Sequence, residues 1–261
     1  MIRWAFRGVL PLLCLAVLAL PMRAAAQSTE SLQPALETVD EMRTSGEFES
    51  ALDRLQTLSE ENPDNAEVLW RLSRTKVDIG EQVAESNEDR MERLYQEALA
   101  DANSAISADT SNAKAHLSVA IAAGRVGLIS GTREKVRQSR TVKEHVDRAI
   151  ELDSSLAAAY HVRGRWNHEV ASLGFFSRSI VKIVYGGLPD ASYEAAVENF
   201  QKSIELDSRV IDHLEIARTY IEMDQEDKAR EHLQTALTLP EKDPDDPQYK
   251  EEARELLDDI S

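Results

Sequence analysis

The segment Ala229-Arg-Glu-His-Leu233-Gln-Thr-Ala236 decides the fold, because its spacing recurs four more times along the chain. In each copy, a small or apolar residue is followed by a second one four positions later and by a third after three more. These steps place all three side chains on one face of an α-helix, where small residues allow another helix to pack closely. The other copies are Ala51/Leu55/Leu58, Ala98/Ala102/Ala105, Val142/Val146/Ala149 and Ala196/Phe200/Ser203.

The distances between these triplets predict a helical repeat array. Their first residues are 47, 44, 54 and 33 positions apart, and a tetratricopeptide (TPR) repeat has a period of about 34 residues. The last distance matches, and the longer ones predict insertions or lengthened helices. If each triplet marks the second helix of a hairpin, the first helices begin near Ala66, Ala113, Ala157 and Val210. The sequence therefore predicts an all-α, right-handed, TPR-like solenoid of about five hairpins.

Turn residues agree with this division into hairpins. Gly46, Gly80 and Gly127 fall where first helices are expected to end, and glycine is favoured just after a helix C-terminus. The stretch 240–247 contains three prolines and predicts a loop. Beyond it, residues 248–260 predict a C-terminal capping helix, because a terminal repeat needs a polar outer face.

Residues 1–26 have the features of a secretory signal peptide. Arg3 and Arg7 precede an apolar run of twelve residues, and Ala24-Ala25-Ala26 predicts a cleavage site. We therefore expect a mature chain, 27–261, that forms a single repeat domain in the periplasm or cell envelope. An uncleaved N-terminal anchor is the alternative. Cys14, the only cysteine, lies within the signal, so disulfides and cysteine metal sites are excluded from the mature chain.

The chain is strongly acidic, with a net charge of −17. The predicted cleavage removes three arginines and no acids, which makes the mature net charge −20. Such a surface disfavours binding to nucleic acid and broad docking on anionic lipid. Residues 133–182 are the exception, with ten basic and six acidic side chains. This basic segment is either a solvated helix face or a functional patch.

No motif predicts catalysis, a cofactor or a metal site. His161 and His168 are seven positions apart, which is too far along a helix for both to bind one ion. The chain contains neither a Gly-x-Ser-x-Gly nucleophile elbow nor a phosphate-binding Gly-x-x-x-x-Gly-Lys loop. We therefore expect a protein that is not an enzyme.

Longer stretches resemble the regulator of microtubule dynamics family, in order and in approximate spacing, over about residues 31–260. They are Asn65-Ala-Glu-Val-Leu-Trp-Arg-Leu-Ser-Arg74, Thr141-Val-Lys-Glu-His-Val-Asp-Arg-Ala-Ile-Glu-Leu-Asp153, Gly164-Arg-Trp166 with Glu169-Val-Ala171, and Tyr193-Glu-Ala-Ala-Val-Glu-Asn-Phe200. Leu188 departs from the family pattern, which tends to have a second proline there. The resemblance implies a non-enzymatic TPR fold, here in an exported, bacterial member. Animal members are linked to microtubules and membranes, whereas a secretory signal predicts export away from cytosolic filaments.

The first helices of TPR hairpins line a concave groove, which is the predicted site for a protein partner. Arg74, Arg165 and Arg218 occupy equivalent positions in three repeats, and arginine pairs well with carboxylates. We expect the groove to capture an extended segment or a carboxylate-bearing end of the partner. The alternative is that these arginines only balance nearby acids. The predicted groove residues are Trp70, Arg74, Lys114, Leu117, Ile121, Arg125, His161, Arg165, His168 and Arg218.

The apolar stretch Leu173–Tyr185 supports an alternative function. Phe175, Phe176 and neighbouring aliphatic residues spread around more than one helix face, with Arg178 and Lys182 beside them. Such a helix is either buried between repeats or contacts an apolar ligand or lipid. The alternative to a protein-binding scaffold is therefore a lipid or apolar-ligand binder.

Overall fold

The computed structural model describes residues 22–83, 86–174, 179, 182–184 and 186–260, with side chains from Leu32 onward. The chain divides into two compact units, Met1–Glu37 and Thr38–Ser261. Within the first unit, the described residues are helical and belong to the N-terminal part of helix α1. The predicted cleavage site at residues 24–26 falls inside this helix.

The described part of the chain contains eleven helices of at least 13 residues and no strand. In order, they are α1 (Met22–Thr44), α2 (Phe48–Glu61), α3 (Ala66–Val83), α4 (Glu88–Ala108), α5 (Ala113–Ile129), α6 (Thr132–Leu152), α7 (Ala157–Ser172), α8 (Tyr193–Leu206), α9 (Val210–Glu222), α10 (Glu226–Thr238) and α11 (Asp246–Asp259). The predicted all-α class and the predicted starts of α3, α5, α7 and α9 are confirmed.

Several helix starts are fixed by side chains that satisfy free backbone N–H groups. Asn65 accepts a hydrogen bond from the Val68 N–H at 3.2 Å. Asn87 and Asn112 act in the same way on the third residue after them, each at 3.0 Å. Ser192 caps α8 at 3.1 Å. These caps fix helix starts both between successive hairpins, at Asn65 and Asn112, and within hairpins, at Asn87 and Ser192.

Consecutive helices pack as hairpins, α3 with α4, α5 with α6, α7 with α8 and α9 with α10. All fifteen side chains of the recurring triplets are buried, including Ser203, whose hydroxyl donates to the Ala157 carbonyl at 3.0 Å. The spacing that predicted the repeats is therefore the packing face of each second helix. α11 follows α10 and buries Ala253 against the last hairpin, as expected of a capping helix.

Two of the three predicted turn glycines have a different role. Gly46 does lie in a turn between α1 and α2, with a φ of +77° that favours glycine. Gly80 and Gly127 instead lie inside α3 and α5, so the prediction that they end these helices was wrong. At Gly80 the reason is close packing, because a Cβ there would lie 2.4 Å from Cε1 of Tyr95.

Candidate functional site

A cavity of about 550 Å³ lies within the unit Thr38–Ser261. The C-terminal part of α1 and the helices α3, α5 and α7 supply most of its lining, as the TPR arrangement predicts for first helices. The loop before α11 closes one side. There Pro244 packs on Gly46, whose Cβ, if present, would lie 3.5 Å from the Pro244 Cβ. The cavity is therefore bounded by both the first and the last elements of this unit.

The lining is apolar in part and carries equal numbers of acidic and basic side chains. The larger apolar residues are Phe48, Trp70, Ile121, Leu128, Val142, Val162, Trp166, Val170 and Ile211. The basic residues are Arg43, Arg74, Arg125, Lys135, Arg165 and Arg209. The acidic residues are Asp40, Asp78, Glu81, Glu169, Asp243 and Asp245. Such a surface suits a ligand that has both apolar and charged groups.

Asp78 is the centre of an ion-pair cluster at the α1–α3 side. Arg43 donates to its Oδ2 from Nε at 3.0 Å and from Nη2 at 2.6 Å. Arg74 lies 3.6 Å from Oδ1. Two arginines therefore share one carboxylate.

Arg125 and Arg165 carry donor groups that the protein itself does not fully satisfy. Arg125 forms an ion pair with Glu81, yet its Nε is buried and has no hydrogen-bond partner among the described residues. Arg165 lies 3.9 Å from the Glu215 carboxylate, which is beyond hydrogen-bond distance. Both arginines line the cavity, so a carboxylate or carbonyl that enters it would meet their guanidinium groups.

His161 is held by a buried carboxylate behind the cavity wall. Its Nδ1 lies 2.7 Å from Oδ1 of Asp212, and Arg209 donates to Oδ2 at 3.2 Å. Burial alone would raise the pKa of Asp212, but the hydrogen bond from His161 and the charges of His161 and Arg209 lower it. Asp212 therefore stays ionised and fixes the orientation of His161.

The C-terminal wall of the cavity brings Asp245 and Tyr249 close to acidic residues of α3. Burial, followed by the charges of Glu81, Asp78 and other nearby acids, raises the pKa of Asp245. Burial also raises the pKa of Tyr249, and the Asp245 and Glu81 carboxylates raise it further. Carboxylates of α3 and of the C-terminal loop therefore lie close enough to influence each other's ionisation at this side of the cavity.

Six of the ten predicted groove residues line the cavity. They are Trp70, Arg74, Ile121, Arg125, His161 and Arg165. Trp70 is buried and donates from Nε1 to Glu67 at 3.0 Å, so its ring forms a fixed part of the wall. These six residues lie on α3, α5 and α7, which are first helices of successive hairpins and therefore face the same side.

The other four predicted residues do not line the cavity. Leu117 is buried in the core, and the Lys114 ammonium lies 5.2 Å from the centroid of the Trp70 ring. The ring of His168 lies 3.0 Å from the Thr219 hydroxyl. Arg218 forms ion pairs with Glu215 and with Glu252 of the capping helix. Because α11 supplies Glu252, Arg218 has a local partner that the sequence pattern did not indicate.

Sequence reasoning missed the contributions of α1 and of the C-terminal loop. Arg43, Asp245 and Tyr249 line the cavity although the sequence between residues 240 and 249 indicated only a loop and a cap. No spacing signal in the sequence relates the C-terminal loop to the turn after α1, where Pro244 contacts Gly46.

The predicted apolar insertion is only partly described. Phe175, Phe176 and Arg178 lie outside the described residues. Residues 182–184 are helical, and Lys182, Ile183 and Val184 are exposed, Ile183 to 83%. Ile183 is therefore not buried between repeats, and lipid binding by this stretch stays a prediction. No helix of the described residues is long and apolar enough to span a bilayer.

Comparison with known proteins identifies the family of the chain. The model of the family "Regulator of microtubule dynamics protein 1-3" matches residues 35–261. The chain belongs to this family. Regulator of microtubule dynamics protein 1 of Bos taurus is 32% identical over 235 residues, which cover 89% of this chain and 73% of the bovine protein. The Pongo abelii protein of the same name is 31% identical over 91% of this chain and 76% of its own length.

A solved structure supports the fold assignment of this family member. A TPR protein of Thermus thermophilus aligns with a TM-score of 0.62 over 86% of this chain and 98% of its own. Its sequence identity is 17%, so the likeness concerns the fold alone. The TPR-like fold and the family together indicate a protein-interaction scaffold with a non-enzymatic role.

Proposed function

We propose that this regulator of microtubule dynamics family member is a binding module that holds a segment of a partner protein in the cavity. The observation that carries the proposal is the lining itself, which combines two tryptophans with six basic and six acidic side chains in about 550 Å³. A peptide offers the same combination of apolar side chains, amide groups and charges. Ligand pockets are typically about 300–1,000 Å³, so the cavity has room for a short segment of a partner.

The arginines are the proposed determinants of affinity. Arg74, Arg125 and Arg165 lie on three successive first helices and face the same cavity. Hydrogen bonds to charged groups contribute more than neutral ones, about 1.5–3 kcal/mol each. A carboxylate of the partner, from a side chain or a chain end, is the group that best fits them.

We also propose that residues 1–26 direct export, so that the partner is a protein of the periplasm or cell envelope. The basic start, the apolar run and the alanine site support this proposal. The names of the curated relatives connect those proteins to microtubule dynamics. Mass spectrometry of the N-terminus of protein from its own cells would test cleavage after Ala26. An intact N-terminus in all fractions would contradict it.

Replacing Arg74, Arg125 and Arg165 together by alanine is expected to weaken peptide binding by at least about 10- to 100-fold, because at least one charge-assisted hydrogen bond of about 1.5–3 kcal/mol is lost. The probes are peptides of eight residues selected from a random display library against the full chain. Their affinities would be measured by fluorescence anisotropy at two salt concentrations. Each selected peptide would be synthesised with a free and with an amidated C-terminus.

Arg218→Ala is the matched control. Arg218 is also an arginine of a first helix, but it is paired with Glu215 and Glu252 and does not line the cavity. We expect this variant to bind the selected peptides as the unmodified chain does. Unchanged affinity of the triple variant, or equal losses in the triple variant and the control, would contradict the cavity as the binding site.

A further inference from the structure

Two pairs of histidines occupy the same positions in two different hairpins. His116 and His213 are each the third residue after the first residue of a first helix, α5 or α9. His145 and His232 are each the third residue after the start of the buried triplet in α6 or α10. The equivalent positions hold Leu69 and Asp101 in the second hairpin, and Tyr160 and Asn199 in the fourth.

The two pairs have the same geometry. The Nδ1 atoms of His116 and His145 are 3.0 Å apart, and so are those of His213 and His232. The ring centroids are 5.1 Å apart in both pairs. Each pair joins the first helix of its hairpin to the second, so both belong to the contact that holds the hairpin together.

Such a contact requires one proton between the two facing nitrogens. Nε2 of His116 lies 3.2 Å from the Thr110 carbonyl oxygen, which can only accept. Neutral His116 therefore carries its proton on Nε2, and its Nδ1 accepts from His145. In the second pair, Nε2 of His213 lies 3.1 Å from the Ser208 hydroxyl, which can donate or accept. If both rings of a pair become cationic, two N–H groups face each other and the hydrogen bond is lost.

Few charges surround the first pair. Glu144, on α6 itself, is the carboxylate that favours the charged form of His145. No described residue of α3, α4, α6 or α7 forms an ion pair with either ring. The histidine ion pair among the described residues is that of His161 with Asp212. A second positive charge on this pair therefore has little compensation nearby.

The second pair lies among more charged groups. Asp212 on α9 acts on His213, Glu231 on α10 acts on His232, and Asp212 is itself held by His161 of α7 and by Arg209. Lys242, from the loop before α11, lies beside Ser208. Tyr220 stacks on His232 at 5.7 Å and has Lys228 over its ring. Asp212 connects this pair to His161 in the cavity wall.

We propose that the two histidine pairs form an acid-sensitive contact, which opens the third and fifth hairpins when both rings of a pair are protonated. At neutral pH each pair stabilises the packing of the first helix on the second. As the pH falls below 6.5, binding of a second proton to a pair favours the separated helices, and α9 loosens together with the His161–Asp212 contact at the cavity.

The direction of the pKa shifts agrees with this geometry. Burial, and then the charge of His232, lowers the pKa of His213 to about 4 from an ordinary 6.5. Burial and the charge of His116 lower the pKa of His145, and burial lowers that of His232. Between pH 6.5 and about 4, the unfolded chain binds more protons than the folded chain does. The contribution of the neutral rings to folding stability is therefore fully present above pH 6.5 and declines as the pH falls toward 4.

Denaturation of the full chain by urea between pH 8 and pH 5 tests the proposal. His213 alone is expected to lower the folding equilibrium constant about 30-fold at pH 5 relative to pH 8. The variant His145→Gln/His213→Gln removes one ring from each pair and should lose most of this pH dependence. His168→Gln is the control, since its ring contacts the Thr219 hydroxyl and no histidine, and it should keep the pH dependence of the unmodified chain.

NMR titration of the imidazole nitrogens provides a readout that does not depend on those variants folding well. In the unmodified chain, His145 and His213 should titrate below 6.5. In His232→Gln, the titration midpoint of His213 should rise, because the neighbouring positive charge is gone. Ordinary midpoints for the paired rings, an unchanged midpoint in His232→Gln, or an unchanged pH dependence in the double variant would overturn the proposal.

Discussion

Phe200→Ala is expected to lower the free energy of unfolding by about 3–5 kcal/mol. The Phe200 side chain is completely buried in α8, within the core that α8, α9 and α10 share. Its ring also packs against Gly164 of α7, so the residue joins the two helices of the fourth hairpin. Removing the ring takes away apolar burial and leaves a cavity, and both effects destabilise the fold. Urea denaturation of the purified full chain would measure the loss.

A double-mutant cycle with Gly164 identifies the packing contact as the cause. A Cβ on Gly164 would lie 2.7 Å from Cδ1 of Phe200, so Gly164→Ala alone should destabilise by about 1–3 kcal/mol through overpacking. In the Phe200→Ala background the methyl group has room, and alanine is the better helix former by about 1 kcal/mol. The same substitution should therefore become neutral or stabilising. Additive effects of the two substitutions would show that they do not act through this contact.

Asp212→Ala is expected to cost about 3–5 kcal/mol, because it removes one partner of a buried charged network. Asp212 is fully buried on α9, and its carboxylate is bonded to His161 at 2.7 Å and to Arg209 at 3.2 Å. Without the Asp212 carboxylate, His161 and Arg209 lose the negatively charged group that they contact. Asp212→Asn is the matched control, since it keeps the size and one acceptor but not the charge. We expect it to be destabilised by less than the alanine variant.

The effect of Asp212 should also depend on pH. Its pKa is lowered in the folded chain, so the unfolded chain binds more protons at acidic pH. The stabilisation by Asp212 is present above its unfolded value of 3.8 and is lost as the pH falls through the lower folded value. The difference in unfolding free energy between the unmodified chain and Asp212→Asn should shrink below about pH 4. A difference that stays constant from about pH 7 to about pH 3 would contradict the role of the ionised carboxylate.

Repeat phasing predicted the part of the cavity that depends on regular helices. Trp70, Arg125 and Arg165 could be placed in the groove because first helices repeat the same orientation from one hairpin to the next. Phasing failed for Arg218, because the capping helix supplies Glu252 as a partner. It also failed for Gly80, whose function is to accommodate the Tyr95 ring inside a helix rather than to end that helix.

The sequence by itself determined the all-α class, the hairpin boundaries and the buried face of each second helix. These follow from local periodicity and capping residues, which act within a few positions of the chain. Only the tertiary structure decided that Pro244 packs on Gly46 to close the cavity, and that histidines 29 and 19 positions apart face each other in pairs. Such contacts form between helices and loops that are separated in the sequence, so they depend on how these segments pack rather than on the periodicity within any one of them.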